Sequence, residues 1–369
     1  MRIAAHLPSP VLHAMTIGVV VVVSYASSWA GAQDSAARAT WVTAWGSSQQ
    51  TIGDTHITNA TVRLIARVTI PGDNVRIRLD NTFGMTPVTI GRAYVGYRIQ
   101  GAAIAAGSNR PITFNGGTTG TIPGGGSIWS DPVRLPVLAQ QDLAVSLYVP
   151  GSNVKPSQHT GAVVTSYRGA DGTGDVASSE DRMAFTSTTT ALWWLKAIDV
   201  ESSSAAGAIV AFGDSITDGT CSTLDAHDRW EDVVSVRLGL EHATRLKSVV
   251  NEGIGGNTLT REDLTPAVDS TPGLERLERD ALSHHGVTDV VLFMSHNVAA
   301  RATPRERVGA LSRYSLRDDA ETRYVEGDCR IPGPDRADGP ALGTARGPSR
   351  ATSCSPPWRE CLRVAIRSG

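Results

Sequence analysis

The most constraining feature of this chain is a ten-residue run, Val-Ala-Phe-Gly-Asp-Ser-Ile-Thr-Asp-Gly, spanning 210–219. The apolar stretch Ala208-Ile209-Val210-Ala211-Phe212 climbs straight into Gly213-Asp214-Ser215. Such a run predicts a buried strand that ends in a tight turn with a hydroxyl at its tip. In open α/β sheets ligands bind beyond the carboxyl ends of the strands, so a serine there is placed to act as a nucleophile.

The residues that follow alternate strand and helix patterns. Arg229–Leu238 reads as an amphipathic helix, and Leu246–Val250 as a short strand running into a glycine cluster. Thr271-Pro272 opens a second helix, reaching about Leu282, with Leu274 and Leu277 inward. Asp289–Met294 reads as a buried strand ending at Ser295-His296-Asn297. Alternation of this kind predicts a parallel sheet covered on both faces. Upstream, from Trp41 to about Ala191, the pattern is that of strands. Val62–Val68 and Val75–Leu79 alternate apolar with polar residues around a Pro71-Gly72-Asp73-Asn74 turn. Further strands are expected at Val88–Tyr97, Ile112–Phe114 and Leu143–Val149, punctuated by glycine-rich turns. An antiparallel, jelly-roll-like sandwich follows from that reading.

Gly-Asp-Ser-Ile-Thr-Asp-Gly at 213–219 resembles the first block of the SGNH (GDSL) hydrolase family, the serine esterases and lipases. Asn251-Glu252-Gly253-Ile254-Gly255-Gly256-Asn257-Thr258 is similar to the family's second block. The stretch Ser295-His296-Asn297-Val298 resembles its third in part, with Ser295 in place of a glycine and Val298 in place of an aspartate. The resemblance implies a flavodoxin-like parallel α/β sheet with flanking helices, preceded by an accessory β-sandwich. It implies that Ser215 attacks an acyl carbonyl. The oxyanion donors would be the Ser215 amide, the Gly256 amide and the Asn297 side chain. Substrates in such a family are acetylated carbohydrates, lipids and simple acyl esters, with no cofactor.

One element of the family pattern is missing. Its C-terminal Asp-x-x-His supplies the general base, yet no histidine follows His296. Without a base a serine hydroxyl stays protonated and weak as a nucleophile. The general base is therefore unknown, with His296 and His227 as weak candidates. The second reading is a non-catalytic glycan-binding protein on a degenerate hydrolase scaffold, with Trp129, Trp193 and Trp194 as stacking faces. From Val298 onward the composition turns to Arg, Pro, Gly, Ala and Ser, with no lysine. Either that tail is poorly ordered, or the reading frame has shifted near Val298.

Organisation follows from these patterns. Residues 1–32 carry Arg2, an apolar core around Val19–Val23 and Ala30-Gly31-Ala32, the pattern of a cleaved signal peptide. Cleavage near Ala32 would make the protein secreted or periplasmic. The β-rich accessory domain spans 33–200, the hydrolase-like domain 201–297 and the atypical tail 298–369. A net charge of -2 over 369 residues gives no reason to expect nucleic acid as a partner. The expected partner is a small-molecule, carbohydrate or lipid ester, with no stable membrane span. Four cysteines, three of them in the tail, do not make a disulfide framework. The His-x-His and His-Glu-x-x-His spacings of metal sites are absent, so no metal is expected.

Overall fold

The computed structural model describes residues 39–241, 246–261 and 270–294. Two antiparallel sheets, of five and seven strands, account for most of these residues. In the five-stranded sheet, β1 (Thr40–Gly46) pairs with β9 (Leu195–Ser202), which pairs in turn with β3 (Gly72–Asp80). Its register sets Val42 opposite Val200, and Val200 opposite Val75. Two short strands, β5 (Ser127–Trp129) and β6 (Val133–Val137), complete it against β3. The seven-stranded sheet is built on β2 (Ala60–Val68), β7 (Gln141–Val149) and β4 (Arg92–Gln100). Val145 sits between Leu64 and Val95 in that register. β8 (Ser166–Arg168) extends it beyond β2.

The alternation in the sequence is what builds these strands. Along β3, Val75, Ile77 and Leu79 turn inward and are fully buried, while the residues between them are partly exposed. Inward residues of both sheets belong to one apolar cluster, which also takes in Val210 and Phe212. Ser203 and Ser204 form a tight turn between β9 and β10 (Ala205–Gly213).

β10 is the centre of a three-stranded parallel sheet, flanked by β11 (Leu246–Gly253) and β12 (Val287–Phe293). Val210 lies between Val250 and Val290. Three helical segments accompany it. These are α1 (Ser215–Asp218), α2 (Trp230–Glu241) and α3 (Gly273–Leu277), the last running on as a wider π-helical turn over Glu278–Leu282.

The flavodoxin-like parallel sheet with flanking helices expected from the sequence is overturned. Strand makes up 45% of the structure and helix only 11%, and the sheets are mainly curled and antiparallel. The physical reasons are local. Parallel pairing among the described residues is confined to β10, β11 and β12. α2 presents no apolar stripe to a sheet, since its buried residues are Glu231 and Ser235. β12 is a strand as expected but not a buried one, because among the described residues it has a neighbour on one side only. Its residues are half-buried or exposed throughout.

Candidate active site

Ser215 opens α1 immediately beyond the end of β10. Asp214 is the cap residue. Its extended backbone ends the strand, and its carboxylate accepts from the Ile216 amide at 3.1 Å. A cap of this kind contributes about 1 kcal/mol. Gly219 closes the turn in the left-handed region, its amide donating to the Ser215 carbonyl. The Ser215 side chain is half-buried, and its hydroxyl meets no hydrogen-bond partner among the described residues.

The glycine loop that follows β11 packs directly on this turn. The Ile254 amide donates to the Gly213 carbonyl at 3.1 Å, and the Gly255 amide to Asp218 Oδ2 at 2.6 Å. The approach is close enough that a Cβ at Gly253 would stand 2.2 Å from the Asp218 nitrogen. Gly256 adopts a φ of 72°, open to glycine at little cost. Ser215 and Gly256 therefore sit on two segments hydrogen-bonded to each other, and neither amide donates to a described group. Asn297, Ser295 and His296 lie outside the described residues.

A histidine that no sequence pattern singles out lies against this turn. His159, from the β-rich part, places Nε2 2.9 Å from Asp218 Oδ1 and Nδ1 2.9 Å from the Ser48 carbonyl. Both ring nitrogens face acceptors, a geometry that favours the doubly protonated imidazolium. Burial alone would favour the neutral ring. The Asp218 carboxylate outweighs it, with help from the Ser48 carbonyl, and raises the His159 pKa above its ordinary value. A ring held in this way has no lone pair for a serine proton.

His227 faces Asp142. Nε2 lies 3.6 Å from Asp142 Oδ1 and makes no hydrogen bond. Burial, and then the charge of Arg67, push its pKa down. It lines a small cavity of about 20 Å³ together with His159, Asp218, Arg229 and Asn251. His284 and His285 pair with Glu252 and Asp199. Among the described residues no histidine is hydrogen-bonded to Ser215. Nor do three His, Cys, Asp or Glu side chains gather there to hold a metal ion.

Beneath the site lies a buried ionic cluster joining the β-rich part to the parallel strands. Lys196 Nζ, fully buried on β9, bonds Glu252 Oε2 at 2.9 Å and Asp280 Oδ1 at 2.7 Å. Glu252 also accepts from Ser48 at 2.5 Å and meets His284 Nε2 at 2.6 Å. Asp280 is held by Arg279 at 2.7 Å. Burial would raise both carboxyl pKa values. Lys196 is the main counterweight, joined by His284 at Glu252 and by Arg279 at Asp280, and both groups stay below the ordinary range. The cluster went unseen in sequence because its members are scattered from Ser48 to His284. Only Arg276 and Asp280, spaced i to i+4, left a local signal.

No protein-family model and no curated protein matches this sequence. Among solved structures there is similarity to a family two carbohydrate esterase from Clostridium thermocellum in complex with cellohexaose. That match has 12% identity and a TM-score of 0.22 over 70% of this chain and 66% of the other, just under two thirds of its length. A family two carbohydrate esterase from Cellvibrio japonicus gives 10% identity and a TM-score of 0.24, over 75% and 71%. A GDSL-like lipase from Bacteroides ovatus gives 11% and 0.14, over 63% and 59%. TM-scores this low establish no shared fold, and the chemistry of Ser215 stands on its own surroundings.

Proposed function

We propose that Ser215 is the nucleophile of a hydrolase acting on acyl or acetyl esters of small molecules, carbohydrates or lipids. The observation that carries this reading is the juxtaposition of its unpartnered hydroxyl with the Gly253–Gly256 loop at the end of β10. The hydroxyl oxygen would attack the acyl carbonyl, and the negative charge would fall on the former carbonyl oxygen. The amides of Ser215 and Gly256 are the nearby donors for that charge, with Asn297 proposed as the third. The proton lost by the Ser215 hydroxyl passes through the general base to the leaving oxygen, so collapse would expel the alcohol and leave an acyl-serine, which water then hydrolyses.

The general base is not among the described histidines bonded to Asp218, Glu252 or Asp199, and His296 and His227 remain the proposed candidates. A serine without its base keeps only the rate that oxyanion donors and binding supply, several orders of magnitude below a complete triad. Stacking of glycans on tryptophan is less favoured. Trp193 and Trp194 are buried, and Trp129 already carries Arg76 at 4.8 Å and Arg78 at 5.9 Å over its ring. The test is turnover of p-nitrophenyl acetate by the full chain beside Ser215→Ala. Turnover lost on substitution supports the reading, and equal rates in both proteins overturn it.

A further inference from the structure

The Gly273–Leu282 segment is largely polar, the composition of a surface helix. Yet two of its charged side chains, Arg276 and Asp280, are fully buried. The Arg276 guanidinium stacks 4.0 Å over the Phe212 ring near the end of β10. Nη2 donates to the Gly213 carbonyl at 2.8 Å, and Nε to Asn257 Oδ1 at 3.0 Å. Nη1 donates to the Glu252 carbonyl and to Ser48 Oγ, each at 2.9 Å. Asp280, four residues on, lies 3.4 Å from Nη1 and is itself fixed by Lys196 and Arg279.

One planar group therefore holds two separate segments. Gly213 lies two residues before Ser215, and Asn257 directly follows Gly256. From the structure we infer that Arg276 is a positioning residue that fixes the nucleophile turn and the glycine loop relative to each other. The inference rests on the proposed role of Ser215, whose hydroxyl and oxyanion donors sit on those two segments. Only a guanidinium presents donors in several fixed directions of one plane. A lysine ammonium at the same position is a point charge and cannot span Gly213 and Asn257 together. Displacing a reacting group by about 1 Å can lower a rate about 100-fold, so the arrangement would act on the chemical step rather than on substrate capture.

The experiment uses the full chain as wild type, Arg276→Lys, Asn257→Ala and Ser215→Ala. Amide hydrogen exchange is followed in 213–219, in 253–258 and in β7 as an internal control. Steady-state p-nitrophenyl acetate kinetics are measured alongside. In Arg276→Lys, exchange should rise about tenfold in both site segments and stay unchanged in β7. Its kcat should fall about 10- to 100-fold with KM within about twofold of wild type. Asn257→Ala removes the Arg276 arm to the glycine loop together with the Asn257 bonds to Ser270 Oγ at 3.0 Å and the Thr271 carbonyl at 2.8 Å, and should loosen 253–258 while leaving 213–219 protected. Wild-type protection of both segments in Arg276→Lys would overturn the inference, as would loosening that extends into β7 or a raised KM at constant kcat. If Arg276→Lys does not fold, Arg276→Gln takes its place and is read by the same segments. A wild type without Ser215-dependent turnover overturns the esterase reading instead, and the exchange data then decide the coupling alone.

Discussion

Lys196→Met removes the cation that two buried carboxylates share, at 2.9 and 2.7 Å. Methionine fills most of the volume, so the loss is electrostatic. Breaking a buried pair by removing one partner costs about 3–5 kcal/mol. Asp280 keeps Arg279 and Arg276, whereas Glu252 keeps only Ser48 and His284 around its carboxylate. The remaining cations soften the loss, which places the expectation near 3 kcal/mol at neutral pH. With a urea m-value of about 3 kcal/mol/M, the midpoint should fall by about 1 M. Glu252 and Asp280 both titrate below their ordinary values in the folded state. Their contribution is complete above the unfolded carboxylate range and is lost as pH falls through the lower folded values. The penalty should therefore shrink on acidification, starting in the unfolded carboxylate range near about pH 4 and vanishing only below the lowered folded values of Glu252 and Asp280. Tryptophan fluorescence reports the transition, since Trp193 and Trp194 are buried. Adding Glu252→Gln to the variant should restore part of the loss. A penalty under about 1 kcal/mol at pH 7, or an equal penalty at pH 3.5, would refute the account of this cluster.

Two further outcomes follow from the site. The His159 pKa is raised in the folded state, so its contribution is complete below about pH 6.5 and is lost as pH rises through the folded value; the Tm of wild type should fall between pH 6 and pH 9 more steeply than that of His159→Gln, and parallel profiles would remove the imidazolium from the argument. Gly253→Ala would drive a methyl group to 2.2 Å from the Asp218 nitrogen; differential scanning calorimetry should show a Tm lower by about 5–10 °C, and an unchanged Tm would mean the glycine loop does not press on α1.

Much of this was visible in the sequence wherever a pattern is local. Alternation across Val75–Leu79 marked β3, and the apolar climb into Gly213 marked β10 and placed Ser215 just past its end. Glycine spacing marked the loop that packs there. What failed was inference from absence of apolar side chains. The helix from Thr271 reads with Leu274 and Leu277 inward, but Arg276 and Asp280 are buried too, among Ser48, Lys196 and Glu252, which are charged or polar and buried with them. A charge buried among charges leaves no periodic apolar trace. Likewise Asp289–Met294 reads as an interior strand from its composition, but burial depends on neighbours that composition does not name. His159 sits in an unremarkable stretch of the β-rich part, and only the tertiary fold sets it against Asp218.

The pairing of β1 with β9 has a consequence for how the molecule is made. Thr40 can find Ser202 only after the whole intervening chain has been translated. At about 5–20 residues per second that interval is about 10–30 s. The other flank of β1 waits longer still, because the Thr43 carbonyl accepts from Ser248 and its amide donates to the His285 carbonyl. The earliest described strand to be synthesised is thus among the last to be zipped in. Until then only the Thr69 contacts to the Ala44 carbonyl can form, and the β9 flank of β1 stays an open strand edge in the nascent chain.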